Sequence, residues 1–326
     1  MREKILLIIC TFCLLISANA QENVSKVGSL KELNLKVVEK YKAGDFKDAL
    51  ELAEKSLALT VEIFGENNKE TALVYANIAE INMARKKYDD ATENFKKAVS
   101  ILEIVQKDDQ VDKIKYLDRL GTSLALDGKE KEAKEVFEKL LNTAENKYGK
   151  ENKEIILYLK TTTDFYIFTK EYDRAEELFV RRHLLSKKLF GKESDELEII
   201  GDEFQCFTSR AYDPKKGIES YERFRDATKT DNDDSTKQGV VNGKARLLQK
   251  PKYPVEARKT RSGGVYTIKI EIDEKGKVTT AKSICGGNKY LEEASVEAAF
   301  KSKFEPTTVN GEPKKVTGYI VYRYVP

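Results

Sequence analysis

Apolar residues recur at helical spacing along the first two thirds of the chain and at strand spacing near its end. Leu73, Ala76, Ile78 and Ile81 lie on one side of a polar break, and Ala91, Phe95, Ala98, Val99 and Leu102 lie on the other. This is the pattern of two amphipathic helices joined by a turn. The unit repeats. Gly44-Asp45-Phe46-Lys47-Asp48-Ala49 aligns with Lys86-Lys87-Tyr88-Asp89-Asp90-Ala91, then with Gly128-Lys129-Glu130-Lys131-Glu132-Ala133 and Lys170-Glu171-Tyr172-Asp173-Arg174-Ala175, and Gly217 continues the series. The alanines at 49, 91, 133 and 175 are 42 residues apart, and Phe64-Gly65, Tyr148-Gly149 and Phe190-Gly191 keep the same phase. A small Ala opening the second helix lets the two helices approach closely. The aromatic four residues later (Phe95, Phe137, Phe179, Tyr221) is placed to fill the space between hairpins.

From Lys244 the period changes to two. Tyr266, Ile268, Ile270 and Ile272 alternate with Thr267, Lys269 and Glu271, predicting a half-buried strand. Asp273-Glu274-Lys275-Gly276 predicts a hairpin turn into a second strand over 277–284. A helix is predicted over 291–303, a turn at Asn310-Gly311, and a last strand over 316–324. A three-stranded antiparallel sheet with a helix across one face satisfies this order. Residues 226–243 are polar and carry no apolar period, so a linker is expected over 229–243.

The repeat resembles the tetratricopeptide family. Tyr75, Ile78, Ala79, Ala91, Phe95 and Ala98 fall at its packing positions, as do Leu117, Leu120-Gly121, Leu124, Ala133 and Phe137. The 42-residue period, with Gly65-Glu66 followed by Thr71-Ala72, resembles the longer variety of that repeat. The resemblance implies a mainly α solenoid of about five hairpins over 28–228, whose groove binds a peptide or partner protein.

The C-terminal motifs resemble a second family, the C-terminal domain of the energy transducer TonB. They are Tyr253-Pro254-Val255-Glu256-Ala257-Arg258, Gly264-Val265 leading to Ile272-Asp273-Glu274-Lys275-Gly276-Lys277-Val278, Ala298-Ala299, Phe304-Glu305-Pro306, and Asn310-Gly311-Glu312-Pro313. Departures are Ser302, where a Trp is common, and the lack of a Pro-rich spacer. The resemblance implies a small α+β domain over 244–326 that captures an outer-membrane transporter or another envelope protein by adding a strand to an open sheet edge. The expected edge is the last strand: Val316, Thr317, Gly318, Tyr319, Ile320, Val321, Tyr322, Arg323 and Tyr324. Tyr253-Pro254, the motif glycines and Asn310-Gly311 read as turn and packing devices.

The N-terminus bears on where this happens. Arg2 and Lys4 precede an apolar run from Ile5 to Ile16, and Ala18-Asn19-Ala20 has the small-x-small form of a signal-peptidase site. Twelve helical residues reach only about 18 Å against a hydrocarbon core of about 30 Å. Residues 1–20 are therefore expected to be a signal peptide cleaved before Gln21, giving a periplasmic protein. The alternative is an inner-membrane-anchored energy transducer that keeps this segment. Neither Cys10 nor Cys13 has the small preceding residue of a lipoprotein signal.

Composition narrows the chemistry. The 326 residues carry 58 basic and 55 acidic side chains, a net of +3, which excludes the one-sided field of a nucleic-acid binder. Residues 244–326 hold 17 of the bases and nine of the acids. Lys250, Lys252, Arg258, Lys259 and Arg261, with Lys244 and Arg246, crowd the domain's start against Glu256, a basic patch suited to an acidic partner or anionic headgroups. With one His and four Cys, no His/Cys metal site can be assembled, no cofactor motif is present, and His183 has no triad partner pattern. Gly286-Gly287 lacks the Lys-Ser/Thr of a phosphate loop. A non-enzymatic protein-binding molecule is expected, with no small-molecule substrate and membrane contact only through partners. Once the signal is removed, Cys206 and Cys285 are the remaining cysteines. A disulfide between them is open to an exported chain, but their distance in sequence favours two small buried side chains.

Overall fold

The computed structural model describes residues 25–105, 110–192, 194–228, 245–309 and 311–326. The expected signal peptide, its cleavage site, the 229–243 linker and Asn310 lie outside these residues. The described chain divides into two compact units, with the division between Phe165 and Tyr166.

The first unit is a succession of helical hairpins. Helix α1 covers residues 25–42 and is followed by α2 (Phe46–Phe64), α3 (Lys69–Ala84), α4 (Tyr88–Val105), α5 (Val111–Leu126), α6 (Glu130–Tyr148) and most of α7 (Glu154–Phe168). Ala49, Ala91 and Ala133 have no exposed surface, as close helix approach requires, and Phe95 and Phe137 are buried. Phe137 packs on Phe165 with the rings tilted by 31° and 4.8 Å between ring centres. Gly121 of α5 lies so close to this ring that a Cβ would come within 2.9 Å of it.

Both turn types follow the repeat. Inside the hairpins Gly44, Lys86, Gly128 and Lys170, spaced by 42, all have φ between +59° and +79°, a region where glycine is unstrained and lysine is not. Between hairpins Gly65 ends α2, donating its N–H to the Val61 carbonyl at 2.9 Å. Thr71 then donates its hydroxyl to the Gly65 carbonyl at 2.7 Å, so the Gly and Thr of that motif are one device.

The second unit joins the last helices to the α+β domain. It contains the end of α7, α8 (Tyr172–Phe190), α9 (Asp195–Ala211) and α10 (Pro214–Thr228), then β1 (Ala245–Leu247), α11 (Val255–Lys259), β2 (Gly264–Ile272), β3 (Val278–Cys285), α12 (Lys289–Lys301), β4 (Lys303–Phe304), β5 (Thr308–Val309), β6 (Glu312–Pro313) and β7 (Val316–Tyr324). The main sheet is antiparallel in the order β3-β2-β7. Tyr266, Ile268, Ile270 and Ile272 of β2 and Val316, Ile320, Tyr322 and Tyr324 of β7 form the core with Leu291, Ala298 and Ala299 of α12.

Two expectations need correction. Helix α12 begins two residues earlier than predicted, because the Asn288 side chain accepts the N–H groups of Tyr290 and Leu291 as an N-cap. It also ends two residues earlier: Ser302 is extended, donates its buried hydroxyl to the Ala298 carbonyl and accepts the Gln249 N–H, which turns the chain into β4. The short pieces β1, α11, β4, β5 and β6 have no periodicity and were not predictable from pattern. The second correction concerns the cysteines: Cys206 of α9 and Cys285 of β3 are joined as a disulfide rather than separately buried.

Candidate protein-interaction site

Strand β7 lies at one end of the β3-β2-β7 order, so among the described residues its outer side has no paired strand. Which of its backbone groups point outward follows from the hairpin. Asp273 donates its N–H to the Lys277 carbonyl at 2.9 Å, so Asp273 faces β3. In an antiparallel strand successive residues direct their N–H and C=O to opposite sides. The even-numbered residues of β2, Gly264 to Ile272, therefore bond to β7 through their register partners Tyr324 to Val316. That leaves Thr317, Tyr319, Val321 and Arg323 with N–H and C=O groups directed to the open edge.

The side chains of β7 divide differently. Val316, Gly318, Ile320, Tyr322 and Tyr324 face α12 and are buried, while Thr317, Val321 and Arg323 are exposed and Tyr319 is half-buried. Part of the sheet face carrying this second set is covered, because α9 lies against it. Lys269 of β2 makes ion pairs with Glu198 at 2.8 Å and Asp202 at 2.9 Å. Tyr319 donates its hydroxyl to Asp202 at 3.0 Å, and Arg323 donates to the carbonyls of Ser209 and Tyr212. Arg210 donates to the Gly286 carbonyl at 2.7 Å, beside the disulfide. Tyr221 of α10 meets Tyr319 edge-on at 6.4 Å, so this aromatic packs on the sheet and not on a further hairpin.

These contacts set the electrostatics. The Lys269 ammonium bonded to Glu198 holds that carboxyl below its ordinary value. Burial pushes Lys269 down, but its bonds to Glu198 and Asp202 outweigh that and leave it raised. Burial pushes the Tyr319 hydroxyl above the usual phenol range. Sequence reasoning did not find this docked face, since the partners are up to 117 residues apart. Its one linear trace was the pair Cys206 and Cys285.

The basic residues Lys250, Lys252, Arg258, Lys259 and Arg261 are all exposed, and none makes an ion pair among the described residues. Arg258 lies over the Tyr253 ring at 5.8 Å, and Tyr253 packs on Tyr324 at 5.8 Å while donating its hydroxyl to the Ser262 carbonyl. The patch thus begins at the Tyr324 end of β7. His183 lies in α8, edge-on to Phe224 at 5.2 Å. Arg182 beside it is 2% exposed and ion-paired to Glu203 of α9, a buried charge that the sequence did not single out. Among the described residues no cluster of His, Cys, Asp and Glu suits a metal ion, and no helix is long and apolar enough to cross a membrane.

A helical-repeat array followed by a small α+β domain with an open edge strand defines a class of protein-binding modules. Residues 31–104 match the tetratricopeptide repeat family, and residues 249–326 match the family described as the Gram-negative bacterial TonB protein C-terminal. A tetratricopeptide-like array is thus fused to a TonB C-terminal-like domain. Among solved structures, nearly identical TPR-like repeats of a kinesin light chain from Podosopora anserina align with 61% of this chain and 93% of theirs, at 16% identity and a TM-score of 0.52. BtubC from P. vanneervenii aligns with 60% of this chain and 78% of its own, at 16% identity and a TM-score of 0.50. At this identity the likeness concerns the fold of the helical part alone. No curated protein matches this chain. Both matching families are binding and scaffolding domains, which implies a role in protein–protein interaction.

Proposed function

We propose that this is an exported envelope adaptor whose C-terminal domain captures an outer-membrane transporter or another envelope protein by strand addition along Val316–Tyr324, while the groove of the repeats holds a second protein. The carrying observation is the open side of β7, where the derived alternation directs four N–H and C=O pairs outward from a domain matching the TonB C-terminal family. The basic residues from Lys250 to Arg261 favour a segment with acidic residues near the Tyr324 end. The Cys206–Cys285 disulfide accords with an oxidising compartment, and therefore with removal of residues 1–20 on export. No step of this reading requires catalysis, a metal or a cofactor.

The test is hydrogen exchange on the full chain with and without the N-terminal segment of an outer-membrane transporter. New protection confined to Thr317, Tyr319, Val321 and Arg323 is the expected result. Protection over Lys250–Arg261 alone, or none, would refute strand addition. N-terminal sequencing of the protein from cells tests the export: a start at Gln21 is expected, and a retained Met1 would point to the anchored transducer.

A further inference from the structure

The sheet of the C-terminal domain has two faces of opposite character. The α12 face is apolar throughout and is the domain's own core. The α9 face is built of Val265, Thr267, Lys269 and Glu271 on β2 and Thr317, Tyr319, Val321 and Arg323 on β7, a set typical of strands that face water. Every hydrogen bond and ion pair across this contact is polar and of the kind that water replaces: Lys269 to Glu198 and Asp202, Tyr319 to Asp202, and Arg323 and Arg210 to carbonyls. Separating the sheet from α9 would uncover Thr267, Cys285 and the Tyr221–Tyr319 contact but none of the α12-side core, and the β2, β7 and α12 packing would remain intact. Of the ion-paired groups only Glu198 is open to solvent as docked; Lys269 and Asp202 are 18% and 17% exposed, and both regain water when the sheet leaves α9, which offsets the loss of their bond. One bond in the contact is of another order, the disulfide between Cys206 and Cys285.

From this contrast we infer that the Cys206–Cys285 disulfide is a redox latch, which holds the α+β domain against α9 when oxidised and lets it detach, still folded, when reduced. The reductant is a dithiol, whether a small molecule or a dithiol protein. Cys206 is half-buried and Cys285 is 5% exposed, so attack falls on the Cys206 sulfur. A thiolate of the dithiol displaces Cys285 and forms a mixed disulfide with Cys206. The second thiolate then resolves it, so two electrons and two protons pass to the cysteines and the dithiol leaves as its own disulfide. Release uncovers Lys269, Tyr319 and Arg323. If residues 1–20 are removed, no other cysteine remains to compete for either sulfur.

The experiment uses the exported full-length protein, oxidised or treated with dithiothreitol, with free thiols counted in each sample. The rate of Lys269 acylation by an amine reagent is read by mass spectrometry, and hydrogen exchange is followed in β2 and α12. Reduction is expected to raise Lys269 labelling at least tenfold with β2 and α12 protection unchanged, and Cys206→Ser should show the raised rate without any reductant. Three results would each overturn the latch: labelling that stays low after both thiols appear, loss of β2 and α12 protection along with the bond, or a disulfide that dithiothreitol does not open while the protein is folded.

Discussion

Replacing Val321 by proline separates the edge of the sheet from its interior. The alternation along β2 and β7 puts the Val321 N–H on the open side and the Tyr322 N–H in the ladder to β2. Val321→Pro therefore removes a donor from the edge and none from the fold, whereas Tyr322→Pro breaks a ladder bond and also removes a ring that is 7% exposed. For a partner strand, the lost donor leaves one carbonyl unpaired in the complex. That costs about 1–3 kcal/mol, or roughly a 5- to 150-fold loss of affinity. Val321→Ala, which only trims a side chain 37% exposed, should bind within about twofold of the wild type. The assays are fluorescence anisotropy with a labelled N-terminal segment of an outer-membrane transporter, and thermal unfolding of each variant. Wild-type affinity in Val321→Pro would refute strand addition at this edge. Unfolding of Val321→Pro as severe as that of Tyr322→Pro would refute the assignment of N–H directions.

Three further substitutions or conditions test the rest of the molecule. Gly121→Ala would set a methyl 2.9 Å from the Phe137 ring and should lower stability by about 1–3 kcal/mol, seen as a drop in the helical melting midpoint. Lys170→Gly places the unstrained residue where φ is +63° and should stabilise by up to about 1 kcal/mol, read by urea titration; a loss of stability would show that the Lys170 side chain contributes more than its backbone strain costs. Acid should weaken the Glu198–Lys269 contact. Glu198 has a depressed value in the folded state, so its contribution is present above its ordinary 4.5 and is lost as pH falls through the folded value. Lys269 has a raised value, so its contribution is full below 10.5 and is lost as pH rises through the folded value. Because Glu198 is mostly exposed, the acid loss in the melting midpoint should be small and should vanish in Glu198→Gln.

Periodic positions made the architecture readable. The alanines at a 42-residue spacing sit at zero exposure and the alternating Ile268, Ile270 and Ile272 are core, because both burial patterns are local to one element. The last strand was legible for the same reason, since its alternation spans all nine residues of β7, whereas its place at an edge was implied only by the family resemblance. What covers the second sheet face was not. Glu198 and Asp202 read as ordinary solvated carboxylates in an acidic helix, and Lys269 as the polar half of a strand. Only the tertiary fold makes them partners. Left-handed Lys86 and Lys170 were likewise invisible as strained residues until Gly44 and Gly128 were seen to share their conformation.

Cys206 occupies, three repeats on, the position of Glu80, and Glu80 ion-pairs there with Arg119 of the hairpin that follows. The sheet thus stands against α9 where the first helix of another hairpin would otherwise stack, and Tyr221 meets Tyr319 in place of that helix. Solenoids need a terminal element that turns a polar surface outward and gives the next unit nothing to stack on. Here the TonB-like domain supplies that end stop. Growth of the array by duplicating its last hairpin would bring a new helix into competition with the sheet for the same surface of α9. Lengthening is therefore open to the chain upstream of the fifth hairpin and closed beyond it.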